Sequence, residues 1–252
     1  MLTTLVLCGF AFCAGLIDAA VGGGGLIQLP ALFGALPQTS SASLLGTNKL
    51  VSICGTSLAV RTYLARVKVP WALVLPAASA AFVLSFLGAA AVSSLPQAWL
   101  RPFVLVMVIV MAIYTFAKKD FGAIRRPVVI GRRERILAVV IGGAIGFYDG
   151  LFGPGAGSFL IFLFIRCFAL DFLAASASAK FVNLATNLAA LVFFVPAGKV
   201  LYAIALPMAA CNVAGAYVGT RVAVARGAGF VRVLFLCLLV ALIAKLAFDM
   251  LR

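Results

Sequence analysis

Uncharged stretches of membrane length dominate this chain. Val104–Phe116 and Ile136–Ile145 carry no charged side chain, and Val231–Phe248 carries two, Arg232 and Lys245, toward its ends. With their flanks such runs reach about 20 residues, the length over which a helix crosses ~30 Å of hydrocarbon. Only 10% of the 252 residues are charged, against about 25% in a globular domain, so a water-facing surface could not be covered. Polar-in, apolar-out strands of ~10 residues are nowhere visible, which excludes a β-barrel. The predicted class is an all-α, polytopic membrane protein.

The net charge of +14 would point to nucleic acid in a soluble protein. Here the basic residues fall between apolar runs, as in cytoplasmic loops beside anionic lipid. Lys118–Arg135 is the densest group, and no nucleic-acid partner is expected. Six cysteines lie in or beside apolar runs without a C-x-x-C pair, and there is no histidine. No metal site, disulfide framework or other cofactor is therefore expected. Met1–Val21 lacks a basic n-region and a cleavage pattern, and is expected to be retained.

Displaced by 131 positions, the sequence matches itself at uncommon residues without a gap. Gly15, Asp18, Gly22 and Gly24 fall on Gly146, Asp149, Gly153 and Gly155. Lys49, Lys68, Pro76, Gly88 and Arg101 fall on Lys180, Lys199, Pro207, Gly219 and Arg232. The expected organisation is a membrane repeat over 1–117, a basic cytoplasmic linker over 118–135, and a second repeat over 136–252. Each repeat reads as a glycine-broken apolar element followed by three spans: 42–60, 71–93 and 100–117, then 174–196, 201–224 and 231–250.

Whether the broken element crosses or turns back decides the symmetry. One crossing gives parallel repeats; a re-entrant hairpin or two crossings gives inverted ones. With the linker inside, Arg61, Arg66 and Lys68 are inside as well; inversion also brings Arg166, Arg221, Arg226 and Arg232 inside, leaving Arg101, Lys199 and Arg252 outside. The positive-inside rule therefore predicts inverted repeats with both termini outside.

The breaks read G-L-I-D-A-A-V-G-G-G-G and G-F-Y-D-G-L-F-G-P-G-A-G. Gly22, Gly23, Gly24 and Gly25 in one, and Gly153, Gly155 and Gly157 in the other, each cost a helix about 1 kcal/mol relative to alanine. Broken backbone at membrane depth survives only inside protein or against a wet cavity. There it can aim free amides at an anion. Close packing is the plainer reading of the Gly142, Gly146, Gly150 spacing, but two breaks at matching places point to a substrate site.

Asp18 and Asp149 stand a turn before the breaks, where a carboxylate costs about 2.5–3.5 kcal/mol on insertion scales and so is paired, protonated or functional. They are candidates for proton coupling or for shaping the site. Lys49 and Lys180 can pair with either aspartate, attract an anion, or snorkel to an interface. Thr47, Asn48 and Ser52 surround the first lysine; Ser176, Ser178, Asn183 and Asn187 surround the second. Lys180, Asn183 and Asn187 share one helix face, and a polar stripe on a membrane helix must look inward.

The stretch G-L-I-D-A-A-V-G-G-G-G-L-I-Q-L-P-A-L with L-G-T-N-K-L resembles the first repeat of the sulfite exporter TauE/SafE family, also grouped as 4-toluene sulfonate uptake permeases. G-F-Y-D-G-L-F-G-P-G-A-G-S-F with A-S-A-K-F-V-N-L-A-T-N resembles the matching repeat in the YfcA-like branch. The resemblance covers nearly the whole chain. It implies a permease of the bacterial inner membrane for sulfite, a sulfonate or a related small organic anion. The positions it carries over are Asp18, Gly22–Gly25, Thr47, Asn48, Lys49, Asp149, Gly153–Gly157, Ser178 and Lys180. Ala179 stands where the first repeat has Asn48, so the halves are not chemically equivalent.

The expected function is a secondary transporter of a small anion, held where the two breaks meet between the repeats, and not an enzyme. An anion channel or a non-transporting accessory protein is the alternative. An intramembrane aspartyl protease lacks its G-x-G-D motif here.

Overall fold

The structure, a computed structural model, describes residues 2–96, 102, 106 and 130–225. These form α1 (Leu2–Val21), α2 (Gly25–Ala35), α3 (Ser41–Leu64), α4 (Trp71–Ser93), α5 (Arg132–Leu151), α6 (Ala156–Phe168), α7 (Phe172–Phe194) and α8 (Tyr202–Ala225). Among the described residues there is no strand, as the apolar pattern requires. The expected spans 100–117 and 231–250 and most of the linker lie outside the described residues. Arg132–Arg135, assigned to that linker from sequence, form instead the first turn of α5. Glu134 folds back to accept the Gly131 N–H at 2.9 Å, which fixes that helix start.

Four helices, α1, α4, α7 and α8, are long and apolar enough to cross a membrane. At 24 residues α3 is also long enough, but its polar side chains lower its hydropathy. Those side chains point inward. Lys49, Thr56, Lys180, Asn183, Asn187 and Asn212 are buried, while Leu75, Val83, Leu87, Val140, Leu188 and Leu206 are exposed. Buried polar side chains with large apolar ones on the outer surface suit hydrocarbon as solvent.

Glycine sets the helix directions by letting backbones touch. Gly142, Gly146 and Gly150 of α5 lie on Ala77, Ala81 and Ser85 of α4, so these two run parallel. Gly215 and Gly219 of α8 lie on Phe12 and Leu16 of α1, a second parallel pair. By contrast, α3 and α7 are antiparallel: Gly46 meets Phe194, and Thr56 and Lys180 reach the same Asp18 carboxylate. Ser40 caps α3 and Asp171 caps α7, each accepting an N–H three residues on.

These directions settle the path of the broken elements. Leu201, at the start of α8, donates its N–H to Thr47 near the start of α3, and α1 begins beside α8. Helix α2 is followed by a short link to Ser41, so it returns to the face where α1 began. Helix α6 likewise returns to the face where α5 began, and α7 starts there. At 11 and 13 residues, α2 and α6 are about 16 and 20 Å long, half a bilayer each. Both glycine-broken elements are therefore helical hairpins that begin and end on the same face of the bundle.

Charge follows the same geometry. The C-terminal ends of α3, α6 and α8 and the N-terminal ends of α4, α5 and α7 share one face of the bundle. That face carries Arg61, Arg66, Lys68, Arg132, Arg133, Arg135, Arg166 and Arg221; the opposite face carries Lys199. The chain order is also crossed over. Helix α4 packs on α5 and α7, with Ser85 Oγ donating to Thr186 O at 2.9 Å. Helix α8 packs on α1 and α3, where Gly55 meets Asn212.

A methyl added at Gly150 collides with the backbone of Ser85, whereas one at Gly9 meets nothing within 4 Å. Gly150→Ala is expected to cost about 1–3 kcal/mol by overpacking, and Gly9→Ala to be neutral or to gain up to ~1 kcal/mol. Thermal unfolding of the purified protein in detergent checks the contrast.

Candidate functional site

The two breaks meet at the centre of the bundle. Gly22, at φ +82, ends α1, and Gly153, at φ +88, ends α5. Left-handed backbone of this kind is adopted readily only by glycine. Ser158, in the first turn of α6, donates its N–H to Gly22 O at 3.2 Å and its hydroxyl to Val21 O at 2.8 Å. The opening turn of one half-helix thus satisfies the closing carbonyls of the other hairpin. A side chain at Gly22 would strike Gly157 and Ser158, and one at Gly25 would press on Pro154.

Each lysine lies eight residues into its helix, about 12 Å from the start, and α3 and α7 start on opposite faces. Both lysines are therefore deep, with Lys49 2% and Lys180 0% exposed. This overturns the snorkelling alternative. Lys49 Nζ lies 2.8 Å from Asp149 Oδ2, and Lys180 Nζ lies 2.7 Å from Asp18 Oδ2. Each pair joins one half of the chain to the other.

The pairs differ in detail. Lys180 to Asp18 is a hydrogen-bonded ion pair; the same oxygen accepts Thr56 Oγ1 at 3.5 Å and Asp18 Oδ1 accepts the Gly24 N–H at 3.4 Å. The Lys49 contact to Asp149 has no hydrogen-bond geometry, and Asp149 Oδ2 has no other hydrogen-bond partner.

Between the pairs lies a polar cavity of about 20 Å³, the room of a single water. Asp18, Gly22 and Gly25, then Asn48, Lys49, Ser52 and Thr56 of α3 line one side. Asp149, Gly153, Gly157 and Asn183 and Asn187 of α7 line the other. Lys49, Ser52 and Thr56 form on α3 the same i, i+3, i+7 stripe that Lys180, Asn183 and Asn187 form on α7.

Not every expected site residue reaches this cavity. Gly23, Gly24, Gly155, Thr47, Ser178 and Lys180 do not line it. Thr47 donates to Ser43 O at 2.6 Å within its own helix and accepts the Leu201 N–H at 3.0 Å, so its hydroxyl anchors the start of α8. Ser178 donates to Ala174 O within its own helix.

A buried amide chain was not visible in sequence. Gln28 Nε2 donates to Asn48 Oδ1 at 2.9 Å, while Asn212 Nδ2 donates to Gln28 Oε1 at 3.3 Å and to Ala11 O at 3.1 Å. Displaced by 131, these positions are Phe159, Ala179 and Ala81. The chain braces one side of the cavity and has no counterpart on the other. Among the described residues there is no cluster of three metal-ligating side chains.

Residues 7–246 match the family model described as Sulfite exporter TauE/SafE. The chain belongs to the TauE/SafE family. The "Probable membrane transporter protein YfcA" of Escherichia coli K12 is 35% identical over 248 residues, 97% of this chain and 89% of the relative. The "Probable membrane transporter protein ORF9" of a Sinorhizobium species is 34% identical over 240 residues, 95% and 90% of the two chains. A "Probable membrane transporter protein" of Haemophilus influenzae is 28% identical over 247 residues. No solved structure matches the chain. As a member of the TauE/SafE family it is a membrane transporter, and not an enzyme.

Removing one partner of a buried ion pair strands the other, at about 3–5 kcal/mol, whereas an apolar replacement of both is often close to neutral. Lys180→Met alone is expected to destabilise by that order, and Lys180→Met with Asp18→Leu to recover most of the loss. Melting temperatures in detergent, compared across the cycle, test whether the two residues act as a pair.

Proposed function

We propose that this transporter is a secondary carrier of a small anion, of the class of sulfite, a sulfonate or a related organic anion. The observation that carries the reading is the meeting of two re-entrant breaks and two lysine–aspartate pairs around one polar cavity. A lysine held in low dielectric is a strong electrostatic partner for an anion. An anion entering the cavity would compete with Asp149 for Lys49, with Asn48, Asn183 and Asn187 as neutral hydrogen-bonding groups on its edges. The backbone of Gly22, Gly25, Gly153 and Gly157 flanks the same space, with the Gly22 and Gly153 N–H groups already donating to Asp18 O and Tyr148 O.

The cavity of about 20 Å³ holds one water rather than a sulfonate, which favours a carrier that opens on alternate sides over a continuously open channel. The offset of 131, the matching caps at Ser40 and Asp171, and the antiparallel α3 and α7 support inverted repeats. Because α4 and α8 are exchanged between halves, the moving bodies we infer are α1–α2–α3–α8 and α4–α5–α6–α7, not the two halves of the chain. The basic face fits the cytoplasmic side of a bacterial inner membrane, with the N-terminus outside.

Uptake of labelled sulfite, methanesulfonate and short carboxylic acids into proteoliposomes tests the proposal. Wild type is expected to accumulate at least one of these anions under an imposed pH gradient, and Lys49→Ala to lower the rate about 10-fold or more, the scale of one lost charge-assisted contact. Large unitary currents across a planar bilayer would establish a channel instead. A folded protein that moves none of these anions would sink the carrier reading.

A further inference from the structure

The two ion pairs look equivalent from their spacing, but their surroundings are not. Asp18 is fixed by three donors: Lys180 Nζ, Thr56 Oγ1 and the Gly24 N–H. Its lysine is wholly buried and does not line the cavity. Asp149 has an ion-pair contact to Lys49 and no hydrogen bond on Oδ2, and both members of this pair line the cavity. The point where a Cβ would stand on Gly153 lies 3.0 Å from Asp149 Oδ1 and 3.3 Å from Lys49 Nζ. Only a break residue without a side chain leaves that pair open to the cavity.

Charge balance then assigns roles. Asp18, Lys49, Asp149 and Lys180 together carry no net charge. The charged groups facing Asp149 are Lys49 from α3 and, across the cavity, Asp18 from α1, which is itself paired with the buried Lys180 of α7; Tyr148 beside it donates its hydroxyl to Pro154 O at 2.6 Å. No further cation among the described residues reaches the site. A monoanion that takes over Lys49 therefore strands a carboxylate, and a stranded buried carboxylate neutralises itself by binding a proton.

We propose, on the carrier reading above, that Asp149 is the proton-coupling residue and that Lys180–Asp18 is a fixed strut. The anion binds Lys49 and one proton from the aqueous side binds an oxygen of Asp149. The neutral assembly changes access, and anion and proton leave together on the other side. Lys49 stays an ammonium throughout, so one anion and one proton cross and no net charge moves.

Methanesulfonate is the probe of choice, because it stays ionised and any proton that travels must ride on the protein; sulfite is the second probe. Proteoliposomes with an internal pH dye report both fluxes, and wild type is expected to move about one proton per anion in the same direction, as a neutral site requires. Asp149→Asn is expected to keep anion-for-anion exchange at a reduced rate while proton movement falls to the level of empty liposomes. Asp18→Asn is expected to lower the melting temperature while preserving the proton-to-anion ratio of whatever transport remains. A second readout needs no variant: mass spectrometry of wild type treated with a hydrophobic carbodiimide, which modifies protonated buried carboxyls, should find anion-dependent labelling at Asp149 and not at Asp18. Anion transport without protons, loss of coupling in Asp18→Asn alone, or anion-dependent labelling at Asp18 overturns the assignment and leaves the carrier standing. Failure of wild type to move either anion overturns both.

Discussion

Two ammonium groups at the centre of an apolar bundle are the constraint on which the rest of this structure depends. Each buried ion loses several kcal/mol of hydration that is regained only through a close and well-placed counter-charge. The counter-charge of Lys49 is on α5 and that of Lys180 is on α1. The helices that bear lysines must therefore cross the helices that bear aspartates near the centre. The breaks at Gly22 and Gly153 let them do so, because a helix that stops one turn beyond its aspartate leaves room for the opposing hairpin. Hydrogen bonds from Ser158 to Val21 and Gly22 then hold the two interruptions together.

Around this centre, small residues do the work that hydrophobic burial does in a soluble protein. Lipid is as apolar as leucine, so helices associate by backbone approach and by polar contacts. The glycine rows on α5 and α8 bring backbones into contact, and Ser85 and Asn212 add hydrogen bonds across the same seams. Both seams join helices from different halves of the chain. The halves are therefore interleaved, and the asymmetric brace of Asn212, Gln28 and Asn48 ties α8 to α1, α2 and α3 by hydrogen bonds that have no counterpart at the equivalent positions Phe159, Ala179 and Ala81.

Most of the framework was readable from residue spacing. Membrane-length apolar runs gave the class, the glycine breaks gave the interruptions, and basic residues at run ends anticipated the single positive face. Asp18, Asp149, Lys49 and Lys180 stood out because an ion in an apolar run has no neutral explanation. Which lysine takes which aspartate was not readable, since partners 100 and 162 positions apart leave no local trace. Gln28 and Asn212 were missed for the same reason: a lone amide in an apolar helix has no periodicity, and its partner lies on another element. Thr47 and Ser178 lie away from the cavity. A small hydroxyl beside a buried lysine looks like a ligand group, but it can satisfy itself on the carbonyl four residues back, as both do.

The crossed pairing has a consequence for how the chain is made. Lys49 precedes Asp149 by 100 residues in the chain, so the first-made half holds Lys49 and Asp18 before either has its final partner. A lone lysine at a helix centre costs about 2.5–3.5 kcal/mol on insertion scales, and α3 has little hydrophobicity to offset it. The final pairing of Lys49 therefore requires the second hairpin, which carries Asp149. The last-made half supplies the partner of each charge that the first-made half carries at the centre.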